Sequence, residues 1–436
     1  MAKGPRPLTA RAAGGAPKGV IPAVEIHGLS SEGDGVGRLA DGRTVFVPWT
    51  APGDVVSVQL TKDKKRWAKG ALVSVDAPTS GRVEALCPLF TQCGGCAIQH
   101  VPYEAQLDWK GRFLTDALER IGGLRVAEPV AVHPSPQAFG YRSRVTFTVV
   151  RRKGRLYAGL REAGRPGRVV DVPECPLADP AVNDVWKGLR ERLAELALPR
   201  PRQMVRVTVR KVVGGAVLLW RPRVPGGDPN AFMDIPGVLE VWAMDPSGGR
   251  LLAGAGDARE EWFGETLPVP GPAFTQVNWA GGQSLYDTLV SWMEPLAGRR
   301  VVDGYAGVSV VGRKLAALGA EVVAVEREGL AAEAAGTRAP PGFQSLVGLA
   351  EALIPKTLPA DTVVLNPPRA GVQGSLLEAL SESGPPQLIY VSCDPATLAR
   401  DLKRLSGAYR LHRVEAFDLF PQTPHVEALV DLRRVL

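Results

Sequence analysis

The chain has 436 residues, 45% of them hydrophobic, more than one ordinary core accommodates and enough for two or three domains. Its longest uncharged apolar stretches, such as Val212 to Trp220, fall short of the roughly 20 residues that cross a bilayer, and no apolar segment follows Met1. Membrane and secretory classes are therefore set aside and a cytoplasmic protein is expected. A formal net charge of +7 favours an acidic partner such as nucleic acid, although such an excess also occurs on proteins that never touch one.

In chain order, residues 1–20 are rich in Gly, Ala, Pro, Arg and Lys without periodicity and read as a disordered basic tail. From 21 to 80, short alternating runs (AVEIHGL, TVFVPW, DVVSVQLTK, AKGALVSV) separated by turn signals predict four or five strands of a small barrel of the oligonucleotide-binding type. Lys62, Lys64, Lys65 and Arg66 give it a cationic edge. Residues 81–264 mix a helical stretch, YEAQLDWKGRFLTDALERIGG, with hairpin-like runs such as QMVRVTVRKVVGGAVLLW, and predict an α+β central domain. Between Gly140 and Val170 nine Arg and Lys face one acid, Glu162. The apolar-basic interleaving in YRSRVTFTVVRR suits either a strand offered to a phosphate backbone or a solvated hairpin face. From 265 to 436 buried strands alternate with helices (RRVVDGYAG, EVVAVERE, DTVVLNPP, PQLIYVSCDP, ATLARDLKRL), the pattern of a doubly wound parallel sheet.

Three groups of residues in this layout can carry chemistry. VVDGYAGVSVVGRKLAALGAEVVAVERE reads as strand, turn, helix and a second strand ending in acid, so Asp303 and Glu326 are candidates to receive the hydroxyls of a nucleotide-like ligand. The turn lacks the three-glycine fingerprint of dinucleotide sites, which speaks against NAD. The turn after the next buried strand, LNPPR, projects a polar side chain into the same crevice. Cys393 in YVSCDPATLARDL sits just before a helix whose dipole favours a thiolate, as a nucleophile requires; a buried structural cysteine is the plainer reading. Glu427 in FPQTPHVEALVDL lies between apolar residues at a strand start, where desolvation raises a carboxyl toward the range of a general base. His425 is the second candidate, and a solvated carboxylate the plainer reading. Finally, Cys87, Cys93, Cys96 and Cys175 form a soft ligand set for zinc or an iron-sulfur cluster, between which spacing does not choose. A disulfide framework does not suit a chain without an export signal.

Jointly, CPLFTQCGGC with the later PECPL, FTQVN, NPPRAG, SCDPATLARDL and HVE resemble, in order and number, the RNA uridine-5-methyltransferases that carry an N-terminal TRAM barrel and an iron-sulfur cluster. The likeness runs from about Val20 to Leu436. It implies a doubly wound, Rossmann-like methyltransferase domain that uses S-adenosylmethionine (SAM). Cys393 would add to uracil C6 so that C5 becomes nucleophilic, and Glu427 would then remove the C5 proton. The resemblance also implies SAM contacts by Gln276, Tyr305, Glu326, Asn366, Asp303 and Gly307, and a [4Fe-4S] cluster on Cys87, Cys93, Cys96 and Cys175 in preference to zinc. Its RNA would be ribosomal in preference to transfer RNA, with no obligate protein partner.

The sequence departs from the family pattern at four places around the implied SAM pocket. Gly304 replaces a Leu, Ser309 a Gly, and Leu349 and Asn366 each an Asp. The two lost carboxylates would weaken SAM binding or reshape the adenine pocket, and Ser309 would narrow a close backbone approach. A non-enzymatic reading follows from these departures, an RNA-binding assembly factor with a decayed SAM site. Cytosine-5 methylation would call for different motifs around the nucleophile, and radical-SAM chemistry for three cysteines in one tight loop.

Overall fold

Alternating burial along the first strands closes a barrel: β1 (Val20–Leu29), β2 (Gly35–Arg38), β3 (Thr44–Val47), β4 (Val55–Asp63) and β5 (Trp67–Ala77) pair in the order β1-β2-β3-β5-β4. Val24, Ile26, Val45, Val47, Val56 and Val58 point inward, every second residue of each strand, as the pleat requires. The structure is a computed structural model that describes residues 19–126, 128–193, 204–222, 228–245 and 248–435. The basic tail read at 1–20 thus falls almost wholly outside the described residues.

Helix α1 (Tyr103–Arg120) follows, then the two-residue strand β6 (Val132–His133). Although α1 stands before the central sheet in sequence, its apolar stripe, Leu114, Ala117 and Leu118, joins the core of the C-terminal unit. The central sheet has seven strands: β7 (Arg144–Arg152), β8 (Arg155–Glu162), β9 (Arg165–Asp171), β10 (Met204–Val212), β11 (Gly215–Arg221), β12 (Val238–Asp245) and β13 (Gly248–Gly254), ordered β13-β12-β11-β10-β7-β8-β9. Helix α2 (Pro180–Arg192) covers one face of it. Asp179 caps the helix by accepting from the Ala181 N–H, and Trp186 stacks flat on Phe147 with ring centres 3.7 Å apart. The other face is only partly covered.

A hairpin of β14 (Arg259–Trp262) and β15 (Glu265–Pro268) and helix α3 (Trp279–Ser291) lead into the C-terminal sheet. There β16 (Arg300–Gly304), α4 (Val310–Ala317), β17 (Glu321–Glu326), α5 (Gly329–Gly336), β18 (Phe343–Val347), α6 (Ala350–Thr357), β19 (Thr362–Leu365), α7 (Gly374–Ser383), β20 (Gln387–Ser392) and α8 (Pro395–Leu405) alternate. β21 (Tyr409–Phe417) and β22 (Glu427–Arg434) close the chain. The order is β18-β17-β16-β19-β20-β22-β21-β6, parallel from β18 through β20, with β22 antiparallel to both its neighbours. Strands β19 and β20 are buried along their whole length, as strands covered on both faces must be. Strand order reverses at β16 and β19, so a crevice opens beyond their carboxyl ends. Among the described residues no helix is long and apolar enough to cross a membrane.

Candidate active site

The turn leaving β16 shapes the crevice. Tyr305, Gly307 and Ser309 all have left-handed backbone, with φ of 60°, 57° and 52°. At Gly307 the conformation and the space agree, since a Cβ there would lie 3.0 Å from the Phe274 carbonyl oxygen. The Gly307 N–H donates to one oxygen of Glu326 (2.8 Å) and the Glu328 N–H to the other (2.7 Å), so the Glu326 carboxylate is fixed at the end of β17. Asp303, at the end of β16, is buried, and burial pushes its carboxyl up to about 6 against the opposing hydrogen bonds from Ser309 and the Gly312 N–H. Asp303, Tyr305 and Asn366 line the crevice together with Phe274 and Tyr286. Gln276 is buried and hydrogen-bonds Tyr286, so it reaches the crevice through that ring.

The departures around this crevice have local causes. Ser309 does not crowd the opening as expected: it is 1% exposed and its Oγ turns back to donate to Asp303 Oδ2 at 2.6 Å. That bond helps hold a left-handed non-glycine residue, a conformation that costs roughly 1–2 kcal/mol. A Cβ at Gly304 would lie 2.6 Å from Cδ1 of Ile354, so α6 already fills the space of a leucine. Leu349 stands at the N-cap of α6 without a capping side-chain bond and is 46% exposed. The Asn366 N–H donates to Gly304 O (3.3 Å), tying the two departing positions across β16 and β19.

Cys393 and Glu427 come together through strand register. Ser392 of β20 pairs with Ala428 of β22, and the next antiparallel step sets Cys393 opposite Glu427. Asp394 caps α8 by accepting from the Thr397 N–H (2.8 Å), which holds Cys393 in the turn between β20 and α8. The expected dipole effect is outweighed: burial pushes the Cys393 thiol up, the Glu427 carboxyl adds to this, and the Arg369 guanidinium pulls it down by charge and a hydrogen bond. Glu427 is 3% exposed, and burial pushes its carboxyl up to about 8, again against Arg369. His425 lies 3.4 Å from Arg369 Nη2 and is pushed down to about 4 by burial and then by nearby positive charge, so it is neutral near pH 7.

Arg369 is the residue that sequence reasoning missed: it belongs to NPPRAG, a motif read for the SAM side, yet its charge serves the thiol and the carboxyl. The loop that carries His425 and leads into Glu427 at the start of β22 is also clamped from α1. Lys110 donates to Asp418 (2.6 Å) and to Phe420 O (3.1 Å), and Gln106 exchanges hydrogen bonds with Gln422 at 3.0 Å each. The available signal was a pair of polar residues four apart on the apolar face of a helix.

Away from this crevice, Cys87, Cys93, Cys96 and Cys175 line one cavity of 340 Å³, largely apolar, beside Gln99 and Arg142. Burial raises the thiols of Cys87, Cys93 and Cys96, the second to about 11 and the third to about 12.

Residues 337–435 match the family model described as tRNA (Uracil-5-)-methyltransferase, and residues 19–73 match the TRAM domain. An uncharacterized RNA methyltransferase of Thermosynechococcus vestitus is 34% identical over 94% of this chain and 98% of its own length. The 23S rRNA (uracil(1939)-C(5))-methyltransferase RlmD of Thiobacillus denitrificans is 31% identical over 95% of this chain and all of its own. The crystal structure of Pyrococcus abyssi tRNA (uracil-54, C5)-methyltransferase in complex with S-adenosyl-L-homocysteine superposes with a TM-score of 0.72 and 26% identity, covering 94% of this chain and 100% of that one. With relatives of this identity matched over nearly their whole length, the chain belongs to the RNA (uracil-5-)-methyltransferase family.

Proposed function

We propose that the protein methylates C5 of a uridine in RNA, with Cys393 as nucleophile and Glu427 as base. The observation that carries this reading is the meeting of Cys393, one residue past the end of β20, with Glu427, the first residue of the neighbouring β22, with Arg369 acting on both, at the end of the sheet where the crevice opens. The methyl group comes from SAM. Asp303, Tyr305, Gly307, Glu326 and Asn366 would hold SAM in the crevice, and Gln276 would orient Tyr286 behind it. Cys393, once deprotonated, forms an S–C6 bond and pushes electron density onto C5, which takes the methyl group as its bond to the donor sulfur breaks. The Glu427 carboxylate accepts the C5 proton, the C5–C6 double bond re-forms, and the thiolate leaves. Arg369 stabilises the anionic forms of both groups, and His425, neutral, keeps Arg369 in reach.

We assign the four cysteines to a [4Fe-4S] cluster in preference to zinc. Lining one cavity together, they offer a soft thiolate set that either group could use, and the resemblance to the iron-sulfur enzymes favours the cluster. Gln99 sits among these thiols: its Oε1 accepts from the Cys87 N–H (3.1 Å) and its side chain hydrogen-bonds Cys96. Cys87, Cys93, Cys96 and Cys175 would hold the cluster, which would tie the loop at 87–96 to the connection between β9 and α2. Methyl transfer and elimination move no net electrons, so its service is structural. For the RNA, 23S rRNA is favoured by the nearly full-length likeness to RlmD; the likeness to the Pyrococcus abyssi tRNA enzyme supports transfer RNA as the second reading.

The test is to incubate anaerobically purified protein with labelled SAM and total RNA from a strain lacking the gene, beside Cys393→Ala. Formation of 5-methyluridine that vanishes in the variant is expected, and mapping the label names the RNA. RNA binding without methyl transfer would refute the proposal and favour the assembly-factor reading.

A further inference from the structure

The partly uncovered face of the central sheet holds two adjoining hollows, of 220 and 390 Å³, that share Thr146 and Arg206 and so form one groove. It crosses four strands, from Arg161 on β8 over Thr146 and Thr148 on β7 and Arg206 and Thr208 on β10 to Arg221 on β11. At about 4.8 Å between strands this is roughly 14 Å, room for a few nucleotides. The register sets Arg206 between Thr148 and Arg221, and Thr146 opposite Thr208, whose hydroxyls lie 2.7 Å apart. Among the described residues the groove is lined by no acid, and neither Arg206 nor Arg221, both exposed, meets a carboxylate. Arg144, at one end, is tied to the carbonyls of Ala273 and Thr275 and shares the charge of Glu260 with its neighbour Arg210, which leaves Arg206 and Arg221 as the cations this end of the groove offers. Cations and hydroxyls without counter-charge are what a phosphate backbone satisfies.

The groove borders the crevice through one short segment. Pro272 lines one end, and Phe274, two residues on, lines the crevice. At the far end Gly94 and Gly95 form the wall, in the loop that carries Cys93 and Cys96. A uracil that enters the crevice has left any duplex, so the strand on one side of it emerges as a single strand. We infer that this groove holds the single-stranded RNA flanking the target uridine, through its phosphates and without reading its bases. The inference rests on the proposed reaction for the identity of its ligand, and on the groove's own charge for its location.

The test uses the full protein, the Arg206→Ala/Arg221→Ala double variant, the corresponding double Lys variant, and Arg404→Ala on α8 as control. Binding of a labelled oligouridylate of about 15 nucleotides is followed by fluorescence anisotropy between 50 and 300 mM salt. Each phosphate contact in a single strand contributes a slope of roughly 0.7 in log affinity against log salt, so the double Ala variant should lose about 1.4. Its affinity should fall about tenfold and KM for RNA rise in step, with kcat at saturating RNA unchanged. The double Lys variant should retain most of the slope, and the control all of it. Equal slopes and affinities for wild type and double Ala variant would overturn the inference, as would equally tight binding of a blunt duplex of the same length. If wild type transfers methyl groups while the double Ala variant behaves identically, only the groove fails; a reduced slope in a protein that never methylates would leave the groove and remove the reaction. Circular dichroism that shows the double Ala variant unfolded would shift the comparison to Arg206→Ala and Arg221→Ala singly, each expected to lose about 0.7.

Discussion

Replacing Glu427 with Gln keeps the shape of a buried side chain while removing its ability to ionise. Burial lifts the carboxyl from an ordinary 4.5 to about 8 in the folded protein, so between those values the folded state binds a proton that the unfolded state has released. Stability contributed through this group therefore falls as pH rises from 4.5 to 8, by about 1.4 kcal/mol per unit, or about 5 kcal/mol in all. The Gln variant escapes that loss. Thermal unfolding of both proteins should give similar Tm values near pH 5 and a variant more stable by on the order of 10 °C at pH 9, taking about 2–4 °C per kcal/mol for a domain of this size. Other titrations are common to both proteins and cancel in the difference. The variant should also lose 10²–10⁴-fold in turnover, the usual contribution of a general base. Because elimination is blocked after methylation, RNA should remain attached through Cys393 and be visible as a slow band on a denaturing gel. A Tm difference that stays constant from pH 5 to 9 would refute the burial argument, and a variant that turns over normally without an adduct would refute the role.

The free-enzyme kcat/KM should rise with pH through about 8, because both Cys393 and Glu427 act deprotonated and burial raises both. Arg369→Ala, which removes the charge that lowers both, should move that rise to higher pH, and Arg369→Lys should move it less; identical profiles would exclude Arg369 from the site. Lys110→Ala leaves Asp418 buried without its cation and should cost about 3–5 kcal/mol, read by chemical denaturation, against less for Asp418→Asn. Iron removal by a chelator under reducing conditions should lower the unfolding temperature of the protein while leaving SAM affinity, measured by calorimetry, within about twofold; unchanged unfolding would remove the structural role of the cysteine site. Gly304→Leu should cost about 1–3 kcal/mol, and pairing it with Ile354→Ala should recover part of that cost.

What could be read from the sequence was local. The barrel's alternation, the hairpin of β10 and β11, the Asp-Pro start of α8 and the polar turns at the ends of β16 and β19 are each determined within a few residues, and the structure has them where the patterns run. The meeting of Cys393 with Glu427 is of another kind. It depends on β22 inserting antiparallel between β20 and β21, a pairing between distant segments that no local pattern states and that the resemblance alone anticipated. The clamp from Gln106 and Lys110 onto Gln422 and Asp418 likewise spans about 300 residues of sequence. The thiol of Cys393 shows why the sign of an electrostatic effect was not legible: a helix start is visible in sequence, but the burial and the neighbouring carboxyl that overrule it are not.

The same distinction applies to the four departures, which look in sequence like losses from one pocket. Two are paired with a neighbour that takes up the change. Gly304 leaves space that Ile354 fills, and Ser309 spends its hydroxyl on Asp303, which keeps that buried carboxyl hydrogen-bonded inside the turn. Asn366 still lines the crevice and keeps a polar side chain at its rim, so what it gives up is charge and not its place. Only Leu349 has no such counterpart: it leaves α6 uncapped and exposes apolar surface beside Val347, itself exposed, at the end of β18. A pocket decaying without selection would gather unpaired buried groups around Asp303, and one stands on the crevice lining, the Tyr305 hydroxyl. The hydrogen bonds on both oxygens of Glu326 and the one from Ser309 to Asp303 are nevertheless in place, which is the pattern of a site whose parts still depend on one another.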